Sequence, residues 1–260
     1  MAPSLAYRRC EKRLRGEVAV WYSERGDVVG CYSFGSLVEG WTETADLDVS
    51  VVWGDGPPPA RERLPVPIAD GEPSALSIDE PGFVVDRFFL DGQQVDVHHH
   101  TVAELEHWVA EVSTGRGDTG YPMPVIGLHA LMSGIVLADD GRIGAFRTAF
   151  ADVPTTFISA TAARERSGRD SYLDELDRCV DRHDGLLFHS LAVEALRRGF
   201  IAWFARHNWY WPHEKRLGQR LTVLGSPDLA ALEGQVWGAA TLRDKRLLIE
   251  ELLSALSSDS

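Results

Sequence analysis

Between positions 35 and 53 the chain reads Gly35-Ser36-Leu37-Val38-Glu39-Gly40-Trp41-Thr42-Glu43-Thr44-Ala45-Asp46-Leu47-Asp48-Val49-Ser50-Val51-Val52-Trp53. An apolar run, Val28 to Phe34, leads into the Gly-Ser turn, and a second apolar run opens on Asp46-Leu47-Asp48. Residues two apart on a strand share a face, so Asp46 and Asp48 are expected to project together while Leu47, Val49, Val51 and Trp53 turn toward a core. Carboxylate oxygens are the hard ligands that Mg²⁺ takes, through one or two acids plus substrate phosphates. The Gly-Ser turn is the complement: a strand that ends in glycine and enters a short helix presents unpaired N–H groups to an incoming anion. Gly35 lets a phosphate approach the backbone, and Ser36 adds a hydroxyl donor. Alone, Gly-Ser is a common turn and Asp-x-Asp a common strand end; their order between two strand-like runs points to metal-assisted chemistry on a phosphate-bearing substrate.

A third acid stands in Gln93-Gln94-Val95-Asp96-Val97-His98-His99-His100, where Val95 and Val97 flank Asp96 as Leu47 and Val49 flank Asp48. Both segments read as apolar on one face and acidic on the other. Side chains directly opposed on paired strands are about 4.5–5.5 Å apart at Cβ, so three such carboxylates could grip two metal ions roughly 3.5–4 Å apart. Phe83 to Leu90, followed by Asp91-Gly92, reads as the other half of a hairpin ending in the Asp96 strand. The run of histidines alternates in direction, so at most His98 and His100 could share a metal. With no cysteine or second histidine pair at ligand spacing, structural zinc is disfavoured. His98 shares the face of Asp96, and His99 is expected as a half-buried or exposed ring.

The Gly-Ser, Asp-x-Asp and third-Asp pattern resembles the DNA polymerase beta-like nucleotidyltransferase superfamily. The small size and helical second half are similar to its antibiotic-modifying branch, the aminoglycoside and lincosamide nucleotidyltransferases of bacteria. In the second half the likeness rests on Asn208-Trp209-Tyr210-Trp211-Pro212-His213-Glu214-Lys215-Arg216, similar to an aromatic-Pro-Lys element of bacterial members. The resemblance implies a nucleoside triphosphate, ATP among the candidates, held on two Mg²⁺ ions, with attack by an acceptor hydroxyl on the α-phosphorus and loss of pyrophosphate. Gly35 and Ser36 would hold the β- and γ-phosphates. Asp46 and Asp48 would bind both metals, and Asp96 would bind the catalytic one. Asp96 or Glu194 would serve as general base, although an acid on an otherwise apolar helix is also what a paired structural residue looks like. Lys215 would reach phosphate, or else belong with Arg216 to the exposed first turn of a helix.

The chain has 260 residues, 44% of them hydrophobic, with 39 acidic and 26 basic side chains and a net charge of -13. That balance opposes unspecific binding to a nucleic-acid backbone and suits a cationic small-molecule acceptor. The three cysteines, Cys10, Cys31 and Cys179, are too few and too scattered for a disulfide framework. No signal peptide or membrane span is read, which leads to the expectation of a cytoplasmic protein, monomeric or homodimeric. Two other readings stay open: transfer to tRNA or a protein side chain, and a non-catalytic nucleotide-binding or antitoxin-like partner. No Gly-x-Gly-x-x-Gly, Walker lysine loop, Gly-x-Ser-x-Gly or His-Glu-x-x-His motif offers a different chemistry.

The elements that must position these residues form two parts. Residues 1–120 read as an α/β nucleotidyltransferase domain with a mixed sheet, and 121–260 as an all-α helical bundle, the active cleft lying between them. An amphipathic helix is expected over residues 4–25. A proline-rich stretch follows from Gly54 to Gly82, a solvated insertion or a wall on the acceptor side. Thr101 and Glu104 form a capping box for the next helix, and the glycines and prolines between Gly115 and Pro124 break the pattern. Beyond them helices are expected over 126–137, 143–150, 155–165, 172–180, 186–206, 213–224 and 242–256. The 186–206 segment is apolar around most of its circumference and is predicted as the buried centre of the bundle.

Overall fold

The structure, a computed structural model, describes residues 2–63, 77–80 and 83–258. Most of the proline-rich stretch expected as a loop therefore lies outside the described residues. The chain divides into two compact units, residues 1–109 with 127–151, and 110–126 with 152–260. The boundary expected at 120 falls inside the 110–126 segment, after which the chain returns to the first unit.

In the first unit, α1 (Leu5–Arg13) passes through a π-helical stretch, Leu14–Val18, into α2 (Ala19–Ser23). The single helix expected over 4–25 is thus one helical rod with a widened turn in its middle, around Gly16. Ser4 Oγ caps its start by accepting from the Tyr7 amide. β1 (Val28–Phe34) and β2 (Leu47–Trp53) follow, then α3 (Ala60–Arg63), β3 (Ser77–Glu80), β4 (Phe83–Leu90), β5 (Gln93–Thr101) and α4 (Val102–Ser113). β4 and β5 are joined by Asp91-Gly92 with φ of 53° and 72°, the two positive values that a type I′ hairpin turn needs and that aspartate and glycine tolerate. The capping box forms: the Thr101 amide donates to Glu104, and the Glu104 amide to Thr101 Oγ1.

After α5 (Met123–Ser133) comes β6 (Ile135–Asp139) and then α6 (Arg142–Ala149). The helix expected over 126–137 stops at Ser133, and its last residues become an edge strand. Gly134 is the reason that chain direction can change there: a Cβ on it would sit 2.8 Å from the Ser33 carbonyl oxygen. The six-stranded sheet has the order β3-β4-β5-β2-β1-β6. It is mixed, as expected, with β2 and β5 parallel and every other described pair antiparallel.

One face of the sheet is the core. Leu47, Val49, Val51, Val95 and Val97 are fully buried there, with Tyr7, Leu14, Val18 and Tyr22 of the N-terminal helical rod. Within this apolar layer runs a polar chain. Trp53 Nε1 donates to His99 Nδ1 (3.1 Å), His99 Nε2 donates to Asp86 (3.0 Å), and both Asp86 oxygens accept from Arg63. His99 is 4% exposed, which corrects the expected half-buried or exposed ring. Its neutral tautomer is set by the two neighbours, since Nδ1 must accept and Nε2 must donate.

The second unit is helical apart from its loops: α7 (Thr155–Arg182), α8 (Gly185–Arg206), α9 (Leu217–Val223), α10 (Pro227–Gly238) and α11 (Leu242–Ser258). The helices expected over 155–165 and 172–180 are one continuous α7, because Gly168 and the polar residues between them lie on a helix whose buried positions continue from Glu165 to Leu173. α8 is the buried centre that its composition predicts, with every residue from Gly199 to Ala205 buried. α10 was not read from the sequence; Ser226-Pro227-Asp228 opens it in the manner of a helix start.

Two expectations about stability follow. Asp86→Ala removes the fully buried partner of Arg63, leaving it the exposed Asp79, and should cost up to about 3–5 kcal/mol in urea denaturation; a loss below about 1 kcal/mol would show that the Asp79 pair is sufficient. His100 Nδ1 is buried without a hydrogen-bond partner among the described residues, and burial pushes its pKa down to about 3. The unfolded imidazole takes a proton below its ordinary value of 6.5 and the folded one refuses it. Stability should therefore be full above pH 6.5 and fall by up to about 1.4 kcal/mol per pH unit as acid is added. His100→Phe should flatten that slope in denaturation curves at pH 7 and pH 5.

Candidate active site

The polar face of the sheet is organised by strand register. β2 and β5 run parallel with Asp48 level with Asp96, so the two carboxylates occupy adjacent positions on one face. The antiparallel neighbours extend the row: Phe34 of β1 is level with Asp48, and Arg87 of β4 is level with Asp96. The next row on the same face carries Ser50 beside His98. Asp48 and Asp96 keep 29% and 13% of their side-chain surface exposed, enough for a ligand to reach both.

Gly35 ends β1 with φ +84°, and a Cβ on it would lie 2.3 Å from Asp48 Oδ2. Only glycine satisfies both the backbone angle and this contact, so the turn and the carboxylate are built as one unit. The residues after it form a hydrogen-bonded turn, not the short helix expected: the Glu39 amide donates to the Gly35 carbonyl, Gly40 to Leu37 and Trp41 to Ser36. Ser36 is half-buried on this turn. The first amides of a turn closed in this way have no acceptor within it and are suited to an anion.

The loop that carries the turn is pinned at its far side. Glu43 accepts from the Leu5 and Ala6 amides at the start of α1, at 3.0 and 2.9 Å, and these bonds hold its carboxyl below the usual range. The Ser4 amide donates to the Leu37 carbonyl. Trp41 Nε1 donates to Glu39 Oε2, and Glu39 Oε1 meets His129 Nε2 at 3.4 Å. The N-terminal helix thereby fixes where Gly35 and Ser36 stand relative to β2.

The acids are not equivalent. Asp46 precedes β2, which begins at Leu47, and is exposed, so strand geometry does not hold it beside Asp48 as the alternation argument expects. Asp96 accepts from Arg87 Nε and Nη2, both at 2.7 Å, and from Gln94 Nε2 at 3.2 Å. His98 Nε2 stands 3.5 Å from Asp48 Oδ1, and its ring packs 5.4 Å from that of Phe34. Among the described residues no group of three His, Cys, Asp or Glu side chains stands together as a metal nest. The donor chemistry suits a divalent cation at Asp48, whose carboxylate is partly exposed beside the glycine turn; Asp96 is already engaged by a guanidinium.

Two sequence candidates belong to the second unit. Glu194 on α8 pairs with Arg197 at 3.1 Å and Arg198 at 2.9 Å, the arrangement of a paired structural acid. Lys215 is exposed, just before the left-handed Arg216 that caps α9. The aromatic segment around it is packed locally: Trp211 stacks on Phe200 with ring centres 6.1 Å apart, and Asn208 bonds the Val153 amide and Asp152. Sequence reasoning missed Arg87 altogether. The signal that could have found it was the alternation of Phe83–Leu90, which places Arg87 on the face opposite Asp86 and Phe88.

No family model and no curated protein matches the chain. Among solved structures it is similar to a nucleotidyltransferase-like protein from Exiguobacterium sibiricum 255-15, at 13% identity and a TM-score of 0.46, the match covering 95% of this chain and 74% of that one. Among the described residues no helix is long and apolar enough to cross a membrane, and Cys10, Cys31 and Cys179 are buried.

Gly35→Ala should destabilise the first unit by at least about 1–2 kcal/mol, the cost of a left-handed non-glycine residue, with the clash against Asp48 added. Thermal denaturation checks this; an unchanged melting temperature would mean that the turn is not held against Asp48.

Proposed function

We propose that the protein is a nucleotidyltransferase that moves a nucleoside monophosphate from an NTP to a hydroxyl of a small molecule, an antibiotic or a metabolite, and releases pyrophosphate. The observation that carries the reading is the row on the sheet in which Asp48 and Asp96 stand side by side next to a glycine turn that has no room for a Cβ. Mg²⁺ is the cofactor, and of the three acids Asp46, Asp48 and Asp96 the one placed to hold it is Asp48; when bound it supplies charge neutralisation at the phosphates and the leaving pyrophosphate.

The chain's own residues do the positioning. The Gly35-Ser36 turn binds the terminal phosphates through amides and the Ser36 hydroxyl. Asp48 fixes where the triphosphate lies along the sheet. Little covalent work is asked of protein side chains in phosphoryl chemistry, so pre-set electrostatics and alignment provide most of the rate. As general base the carboxylates Asp96 and Glu194 are both handicapped by their arginine partners, which leaves the acceptor's proton to solvent or to the face around Asp48 and His98. The net charge of -13 favours a cationic acceptor over nucleic acid.

A second reading, a nucleotide-binding partner without catalysis, has one observation in its favour: Asp96 already accepts three N–H groups from Arg87 and Gln94. Pyrophosphate release with Mg²⁺, each of the four NTPs and a panel of aminoglycosides, lincosamides and bulk tRNA separates the readings. Asp48→Asn should lower release at least about 10²-fold, as loss of one charge-stabilising group does, with an unchanged melting temperature. Full activity in that variant would remove Asp48 from the site; nucleotide binding without release from any acceptor would favour the second reading.

A further inference from the structure

We infer that Arg87 takes the place of one of the two metal ions, so that the site loads a single divalent cation, at Asp48, with the nucleotide. The inference rests on the nucleotidyl-transfer reading and concerns how that site is charged.

A second ion would have to bind Asp96, where three of about four lone-pair sites are already taken and a guanidinium stands alongside. Its two oxygens accept three N–H groups: Arg87 Nε and Nη2 in a forked pair at 2.7 Å each, and Gln94 Nε2 at 3.2 Å. The fork is not a chance meeting of long side chains. Arg87 and Asp96 are direct partners across the β4–β5 ladder, and Gln94 is two residues along β5 on the same face. A planar guanidinium matches a carboxylate on both oxygens and cannot be deprotonated at working pH. Any cation approaching the remaining site on Asp96 Oδ2 would therefore meet a fixed positive charge beside it.

Asp48, level with Asp96 on the neighbouring strand, is differently placed. Its neighbour is a histidine 3.5 Å away, not a guanidinium. Arg87 itself keeps 30% of its side-chain surface exposed, so it can face the α-phosphate as a resident cation and carry out the charge neutralisation that a second metal ion provides elsewhere. Asp46 also bears electrostatically on Arg87, so the guanidinium is the cation among the acids Asp46, Asp48 and Asp96.

The test counts Mn²⁺ bound per chain, by the electron paramagnetic resonance of free Mn²⁺, with each of the four α,β-methylene nucleoside triphosphates present at saturation. The wild-type protein should bind one ion per bound nucleotide. Arg87→Met and Arg87→Gln should each bind two, because Asp96 is released beside Asp48, whereas Arg87→Lys, which keeps the charge, should remain at one. Melting curves establish that each variant is folded, and two neutral variants guard against one that is not. Two ions in the wild type overturn the role of Arg87 and leave the nucleotidyl-transfer reading intact. One ion in both neutral variants overturns it as well. Absence of nucleotide binding to the wild type overturns both the inference and the reading on which it rests.

Discussion

The parallel pairing of β2 with β5 is the constraint on which the rest of this site depends. It brings Asp48 level with Asp96, and the antiparallel pairings on either side then determine what flanks them, Phe34 on one side and Arg87 on the other. Four strands contribute one residue each to a single row. A slip of one residue in any of them would turn its side chain to the opposite face, where Val49, Val97 and Phe88 now pack without exposure. The apolar core therefore enforces the polar row: the energy that holds the register is burial on one face, and its consequence is charge placement on the other.

The same sheet carries a second polar line on its buried face, and the two are complementary. Arg63, Asp86, His99 and Trp53 satisfy one another inside the core, and Asp86 and His99 lie next in sequence to Arg87 and His98. Neighbouring residues on a strand point opposite ways, so each strand offers one member of a charged or imidazole pair to the core and the next to the exposed face. Buried ionic groups of this kind contribute less to net stability than to fixing a unique arrangement, since a misregistered strand would take Asp86 away from its buried partners at a cost of several kcal/mol. The core network thus reinforces the register that the exposed row requires.

Much of this was legible because strand alternation is a local rule. Leu47, Val49 and Val51 against Asp48, and Val95 and Val97 against Asp96, show their two faces in the sequence itself, as do the Asp91-Gly92 hairpin turn and the mostly apolar α8. The failures have a common physical origin in contacts between distant residues. His99 was read as partly exposed because nothing local announces that Asp86 and Trp53 will meet it. β6 was read as the end of a helix because residues 135–139 are apolar enough for either state, and pairing with β1 decides between them. Asp46 was expected to act with Asp48 as on an ideal strand, but the ladder starts one residue later. Arg87 was passed over because an arginine in a strand gains significance only when its cross-strand partner is known.

The inequality of the carboxylates is what the structure adds to the pattern. Two ionised acids side by side on adjacent strands repel, and a fold must relieve that repulsion whether or not a ligand is present. Here the relief is asymmetric. Asp96 is neutralised from β4 by a forked arginine and further bonded by Gln94, while Asp48 has a half-exposed histidine at longer range and a glycine turn at its back. An acid whose partners are built in contributes a fixed local field; an acid whose partners are incomplete is the one that a cation stabilises most on arrival. The motif presents its aspartates as a set of equals, yet the ladder gives one a forked arginine and leaves the other with a single histidine at longer range.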